Sequence, residues 1–372
     1  MQKKKLMHVA QSAGGVKNYI SMLLKNMDRS KYEQVLVCSL DYDYNDFADL
    51  VDCFEYVDMI REISIWKDIC CLIKLRRIIK KYKPDVIYLH SSKAGALGRL
   101  ANIGIRNTVL YNPHGWPFNM HCSSGKQTLY RLVEKALALL TDHIVVISDA
   151  EKKSALINGI CRQSKMRVVY NGIDIDEYNN LSKSFLLTRS LLGIPEEAYV
   201  IGAVGRLSKQ KAPDTFVKAA ALIKKEIPSA YFILVGDGED RKQIEKIIKE
   251  NNLDNCLLIT GWVKNSYEYI NLFDQALLLS RWEGFGLALA EYMISRKPII
   301  ATRVDAIPDI ISDGENGLLV EVDNIDHICN TVVKLYHDEA LKKELVENGY
   351  RTVCGRFDIK RVAKEHDLLI ND

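Results

Sequence analysis

The sequence predicts an α/β fold made of two doubly wound parallel-sheet units, and three observations carry that prediction. Short apolar runs rich in Val, Ile and Leu recur along the whole chain, each followed by a segment of helical period. Runs that are apolar throughout, rather than alternating, belong to strands covered on both faces, which is the pattern of parallel sheets. The chain has 372 residues, more than one hydrophobic core usually organises. Finally, the runs fall into two sets on either side of a polar stretch, Asn171 to Pro195, that holds no strand of its own.

The first set comprises Lys5 to Val9, Gln34 to Leu40, Asp85 to Leu89, Thr108 to Tyr111, His143 to Ile147 and Arg167 to Tyr170. The second comprises Tyr199 to Val204, Tyr231 to Val235, Cys256 to Thr260, Gln275 to Leu279, Pro298 to Ala301 and Gly317 to Val320. Two Rossmann-like domains are expected, 1–180 and 181–353, followed by a terminal segment, 354–372. Open parallel sheets bind ligands outside the carboxyl ends of their strands, so chemistry is expected in a cleft where two such edges face each other.

No apolar run approaches the roughly 20 residues needed to cross a bilayer. Met1 to Lys5 leads straight into a strand-like run and lacks the apolar core of a signal peptide, so a cytoplasmic location is expected. Nine cysteines with no Cys-x-x-Cys pair read as reduced structural thiols. The net charge of +3 is unevenly spread: residues 1–180 carry 26 basic against 19 acidic side chains, the remainder 25 against 29. Much of the excess lies in Ile69 to Lys83, where basic and apolar residues interleave at helical spacing. Such a helix either packs its apolar stripe on a sheet or rests on anionic lipid at the inner face of the cell membrane. Nothing points to nucleic acid as a partner.

The chemistry-bearing segments are concentrated in the second unit. Ser280 to Leu287 reads as a strand end running into a glycine-bearing turn, and Ala288 to Ile294 continues as helix. Amides at a helix start and the positive end of its dipole suit a phosphate or diphosphate, and Gly284 and Gly286 allow close approach. Glu283 and Glu291 would lie roughly 12 Å apart in rise and about 80° apart in rotation on one continuous helix. Glycosidase carboxylates stand roughly 5 to 9.5 Å apart across one bond, so the two acids are expected to contact different parts of one extended ligand. Earlier, Gly205, Arg206 and Lys211 lie on a basic loop that leaves the unit's first strand. A cationic pair there can neutralise charge on a departing diphosphate in place of a metal. Leu234 to Asp240, with its Val-Gly-Asp-Gly, indicates by itself only a tight turn.

Gly-Arg-Leu with Lys211 five residues after the arginine, Val-Gly-Asp-Gly, Gly261-Trp262, Glu-Gly-Phe-Gly-Leu with Glu291 closing the gap, and Asp313 to Val320 occur here in order. Together they resemble the donor-binding half of the family 4 glycosyltransferases, whose fold is GT-B. The first half agrees through Gly14-Gly15, His90 to Gly95 with Gly98-Arg99, Pro113-His114-Gly115-Trp116, and Tyr170 to Asp174. The likeness spans nearly the whole chain and is greatest to bacterial enzymes that extend lipid-linked sugars for capsule, O-antigen or exopolysaccharide.

The resemblance implies a retaining transfer of sugar from a nucleotide-diphosphate donor, with UDP as the expected carrier, to a glycan or lipid-linked acceptor. It assigns the diphosphate to Arg206, Lys211, the amides of Phe285, Gly286 and Leu287, and the Gly14-Gly15 turn. Glu291 would hold the ribose, Glu283 and His114 the transferred sugar, and Trp262 and Val263 the base. No Asp-x-Asp lies near this site, so neither a metal nor another cofactor is expected. Asp174-Ile175-Asp176 reads as a helix cap. The segment Phe357 to Leu369 would return as a helix to the first domain. Two departures stand out. Val304-Asp305-Ala306 occupies a place where many relatives carry paired glycines, and Ala212 stands where glycine often follows the lysine. Rival readings are a nucleotide-sugar epimerase, a sugar phosphorylase, or a silent nucleotide-sugar-binding partner.

Overall fold

A computed structural model describes residues 3–11, 13–60, 62–120 and 123–371. The chain divides into two compact units, one of Met1–Gly172 with Ile359–Asp372 and one of Ile173–Asp358. The first holds seven strands, β1 (Lys4–Ala10), β2 (Tyr32–Cys38), β3 (Cys53–Tyr56), β4 (Val86–His90), β5 (Thr108–Asn112), β6 (His143–Val146) and β7 (Met166–Val168). All pair in parallel, in the order β3-β2-β1-β4-β5-β6-β7. The second holds β8 (Tyr199–Val204), β9 (Ala230–Val235), β10 (Leu257–Ile259), β11 (Gln275–Leu278), β12 (Ile299–Thr302) and β13 (Leu318–Val320), also parallel, in the order β10-β9-β8-β11-β12-β13.

The apolar runs are explained by burial on both faces. Along β1, Met7 and Val9 join one hydrophobic cluster while Leu6 and Ala10 join another on the opposite face. The strand that sequence reading passed over is β3. It is an edge strand whose four residues are all half-buried, so Cys53–Tyr56 never shows the apolar run of a covered strand.

The chain changes unit after Gly172 rather than after residue 180, and again after Asp358 rather than after 353. The reason is local pairing: the Ile173 N–H donates to the Phe357 carbonyl at 2.9 Å, and Ile173 bridges Asp358. Asp174 caps the helix Ile175–Leu181, its carboxylate accepting the Glu177 N–H at 2.9 Å. The terminal helix Ile359–Asn371 belongs to the first unit, where the imidazole of His366 lies between the hydroxyls of Tyr19 (3.0 Å) and Tyr88 (2.9 Å).

The basic segment is a helix, Ile65–Tyr82, that buries Cys71, Leu75, Ile78 and Ile79. Three of its cations are committed: Arg76 donates to the carbonyls of Ala101 and Ile103, Lys81 pairs with Glu55 at 2.7 Å, and Lys67 pairs with Asp58 at 3.8 Å. Its start is different. Ile65 and Trp66 are 73% and 82% exposed, with Ile63 just before them and Ile69 and Ile73 also exposed.

Candidate donor site

Three strand ends of the second unit converge on one set of side chains. The loop after β8 carries Gly205 to Lys211, the turn after β11 carries Ser280 to Gly286, and the segment after β12 carries Asp305. Lys211 forms an ion pair with Glu283, whose carboxylate also accepts from the Ser280 hydroxyl at 3.1 Å. Glu283 is buried, and a buried carboxylate is tolerable only with such partners. Its main chain is held as well: the Glu283 N–H donates to the Asp305 carboxylate at 3.0 Å, and the Glu283 carbonyl accepts from the Ala306 N–H.

Glu283 and Glu291 sit on different elements, the turn before the helix and the helix itself, and have different hydroxyl partners. Glu291, on the helix Leu287–Ile294, accepts from the Ser266 hydroxyl at 3.4 Å. The residue as a whole keeps some exposure, yet desolvation of its carboxyl pushes the pKa up to about 7, against the opposing influences of the Ser266 hydrogen bond and the Lys211 charge. Lys211 thus acts on both acids. Gly286 caps this helix at φ 80, and no acidic residue occupies its first turn, where the amides and the positive end of the dipole suit an anion. Phe285 is a packing anchor, buried with its ring edge-on to Phe357 at 5.4 Å.

Arg206 and Lys211 line one cavity together with Gly205, but they have different acidic partners. The Arg206 side chain is 53% exposed and pairs with Glu239 at 2.8 Å. Trp262 is 70% exposed, and Val263 is half-buried.

The Val-Gly-Asp-Gly segment supports this loop. A Cβ at Gly236 would stand 2.1 Å from the Gly205 carbonyl oxygen, and one at Gly238 would stand 2.3 Å from that of Leu207. The Leu207 N–H donates to the Asp237 carbonyl at 2.9 Å. The glycines therefore permit main chain to pack on main chain and hold Gly205 to Leu207 in place.

Sequence reading missed Arg281. Its guanidinium donates to Asp323, to Asp214 at 2.8 Å and to the Lys209 carbonyl at 3.0 Å, while its N–H donates to the Gln210 carbonyl. It clasps the lysine loop to the glutamate turn. Nothing in one sequence marks it, because its partners lie 42 to 72 residues away. The two departures from the family pattern share one feature: Ala212 and Asp305 are non-glycine residues at positive φ, 50 and 44. The backbone has kept the conformation that glycine would adopt without strain.

In the first unit, Gly14 and Gly15 open the helix Gly15–Asn26, and a Cβ at either would meet nothing within 4 Å. His114 follows β5 at φ 50, with its N–H donated to the Asn112 side chain at 2.9 Å. One of its ring nitrogens meets His90 at 3.0 Å, and burial takes its pKa down to about 3, so it is neutral near pH 7.

The fold matches that of Anabaena HepE in complex with UDP and glucose, with a TM-score of 0.85, 21% identity and 99% of each chain covered. Two parallel α/β units of this kind define the GT-B glycosyltransferase class. By sequence, residues 13–177 match Glycosyltransferase Family 4 and residues 187–352 match Glycosyl transferases group 1. The chain is 28% identical to the Escherichia coli UDP-Gal:alpha-D-GlcNAc-diphosphoundecaprenol alpha-1,3-galactosyltransferase, over 93% of this chain and 90% of that one. It is 31% identical to an uncharacterized 41.2 kDa protein in the cps region of Klebsiella pneumoniae, over 96% of both. The chain belongs to the family 4 glycosyltransferases and is a transferase.

Proposed function

We propose that the protein transfers a sugar, with retention of anomeric configuration, from a UDP-sugar to a hydroxyl of a lipid-linked glycan in bacterial surface polysaccharide synthesis. The observation that carries this reading is the grouping of Lys211, Glu283 and Glu291 around the amide-rich start of the helix Leu287–Ile294. That arrangement offers a cation and a helix dipole for a diphosphate, flanked by two acids for hydroxyls on either side of it. UDP is favoured by the donor in the name of the Escherichia coli relative and by the ligand of HepE, and the lipid-linked acceptor by the same relative's name.

In this reading Lys211, Arg206, Gly205 and the amides of Phe285, Gly286 and Leu287 take the diphosphate, with the Gly14-Gly15 turn as a further phosphate contact. Glu283 takes hydroxyls of the sugar and Glu291 those of the ribose, while Trp262 and Val263 pack on the base. His114 takes a sugar hydroxyl. Bond breaking places negative charge on the leaving diphosphate, where preorganised cations and amides stabilise it. The diphosphate oxygen receives the proton of the incoming hydroxyl on the face it leaves, so the enzyme supplies position and electrostatics and needs no metal. Exposed Ile63, Ile65 and Trp66 at the start of the basic helix Ile65–Tyr82 favour contact with an anionic membrane, where such acceptors reside.

A thermal-shift panel of nucleotide sugars on the purified chain, followed by transfer to a cell-derived glycolipid with EDTA present, tests the proposal. One UDP-sugar is expected to raise Tm and to be consumed, giving an axial or equatorial linkage that matches the donor. An inverted product, or activity only with added Mg²⁺ or Mn²⁺, overturns the mechanism. Conversion of the donor to an isomer without acceptor would make the protein an epimerase.

A further inference from the structure

Three histidines far apart in sequence form one column in the first unit. His8 Nδ1 lies 3.0 Å from His90 Nε2, and His90 Nδ1 lies 3.0 Å from His114 Nε2. The rings are near parallel, with centroids 5.3 Å apart at both steps. His8 and His90 are fully buried, and Tyr88 and Tyr19 pack against the column, Tyr88 at 4.1 Å from His90 and Tyr19 at 4.9 Å from His114. His366 faces the same cluster from the terminal helix. Burial lowers the basicity of all three members, so each is neutral and carries one hydrogen.

Neutral rings linked nitrogen to nitrogen cannot choose their tautomers independently. Each link needs one hydrogen and one lone pair, so whichever form the innermost ring adopts is passed outward. The inner end is biased. His8 Nε2 and Gln34 Oε1 are both buried without a conventional partner among the described residues, and both lie on one face of neighbouring strands, since Leu6 pairs with Gln34. The Gln34 amide nitrogen is turned to the Met27 sulfur at 3.7 Å, which leaves its oxygen as the acceptor. Consistent with that, Gln34 favours the protonated form of His8.

We infer that Gln34, His8 and His90 form a positioning relay that holds all three histidines as Nε2–H tautomers, leaving Nδ1 of His114 as a lone-pair acceptor. Resting on the reading above, in which His114 takes a sugar hydroxyl, the relay makes that contact one in which the hydroxyl donates. A carboxylate or a fully ionised diphosphate, which has no hydrogen to give, is refused at this atom. No hydrogen bond engages His114 Nδ1 among the described residues.

The test is a two-bond ¹H–¹⁵N correlation spectrum of the full chain labelled at histidine, recorded near neutral pH without nucleotide, so the outcome is independent of any transfer activity. His114 is expected to show its lone-pair nitrogen at Nδ1. In His8→Phe the His90 Nε2 loses its acceptor, and His114 is expected to invert to the Nδ1–H form; in Gln34→Leu it is expected to become a mixture. A role in packing alone would shift Tm and leave the tautomer as it was. An Nδ1–H or cationic His114 in the unmodified chain overturns the inference, and so does a His114 signal unchanged in both variants. If His8→Phe does not fold, Gln34→Leu alone decides.

Discussion

The carboxylate of Asp305 accepts the main-chain N–H of Glu283 at 3.0 Å, from a backbone held at φ 44. The strained residue and the hydrogen bond oppose each other in stability, each contributing about 1 kcal/mol. Asp305→Gly removes both, so Tm is expected to change little while the donor KM rises several-fold as Glu283 loses its anchor. Asp305→Asn keeps an acceptor oxygen and is expected to stay near the unmodified KM. Equal KM values for Asp305→Gly and the unmodified enzyme would show that Glu283 does not need this support.

Gly236 and Gly15 should respond oppositely to alanine. At Gly236 a Cβ meets the Gly205 carbonyl, and φ is 141. Strain and overpacking together are expected to remove about 2–4 kcal/mol and to misplace the Lys211 loop, abolishing turnover. At Gly15 the space is open, so Gly15→Ala should unfold within about 0.5 kcal/mol of the unmodified chain. Chemical denaturation of the two variants reads the difference directly.

Lys211→Ala and Arg206→Ala are both expected to lower turnover by about 10² or more, through loss of preorganised charge. They should part on stability. Removing Lys211 strands a buried carboxylate, expected to destabilise by about 1–3 kcal/mol, whereas Arg206 and its partner Glu239 are more than half exposed, so its loss should leave Tm in place. Wild-type turnover in both variants would remove the diphosphate assignment.

Folded Glu291 keeps its proton to about pH 7, while an ordinary glutamate releases it near 4.5. Between these values the unfolded chain binds fewer protons, so this residue lowers stability as pH rises, and the loss is complete above 7. Glu291→Gln is therefore expected to match the unmodified Tm at pH 4 and exceed it at pH 8. The same variant should bind the nucleotide about 10-fold to 100-fold more weakly, because a charged acceptor is lost. Melts at the two pH values, with and without UDP, separate the effects, and a lower Tm for the variant at pH 8 would contradict the buried-carboxyl account.

The sequence by itself determined the doubly wound α/β class, because a strand covered on both faces must be apolar along its length, and β8 to β13 all announce themselves this way. It also placed Glu283 on a turn and Glu291 on a helix, since glycines at 284 and 286 are followed by a run of good helix formers. What it left open depends on approach between distant segments. β3 is legible only as an edge strand of a finished sheet. The glycines of Val-Gly-Asp-Gly read as a turn until Gly236 meets the Gly205 carbonyl. Arg206 and Lys211 read as a cationic pair, and only the finished structure shows that Glu239 partners the one and Glu283 the other. His8, His90 and His114 read as isolated residues, 82 and 24 positions apart, and only the β1-β4-β5 order sets them ring to ring. Periodicity reports which face of an element is buried, whereas hydrogen bonds and ion pairs fall off within a few ångströms, so their partners are decided by the tertiary structure.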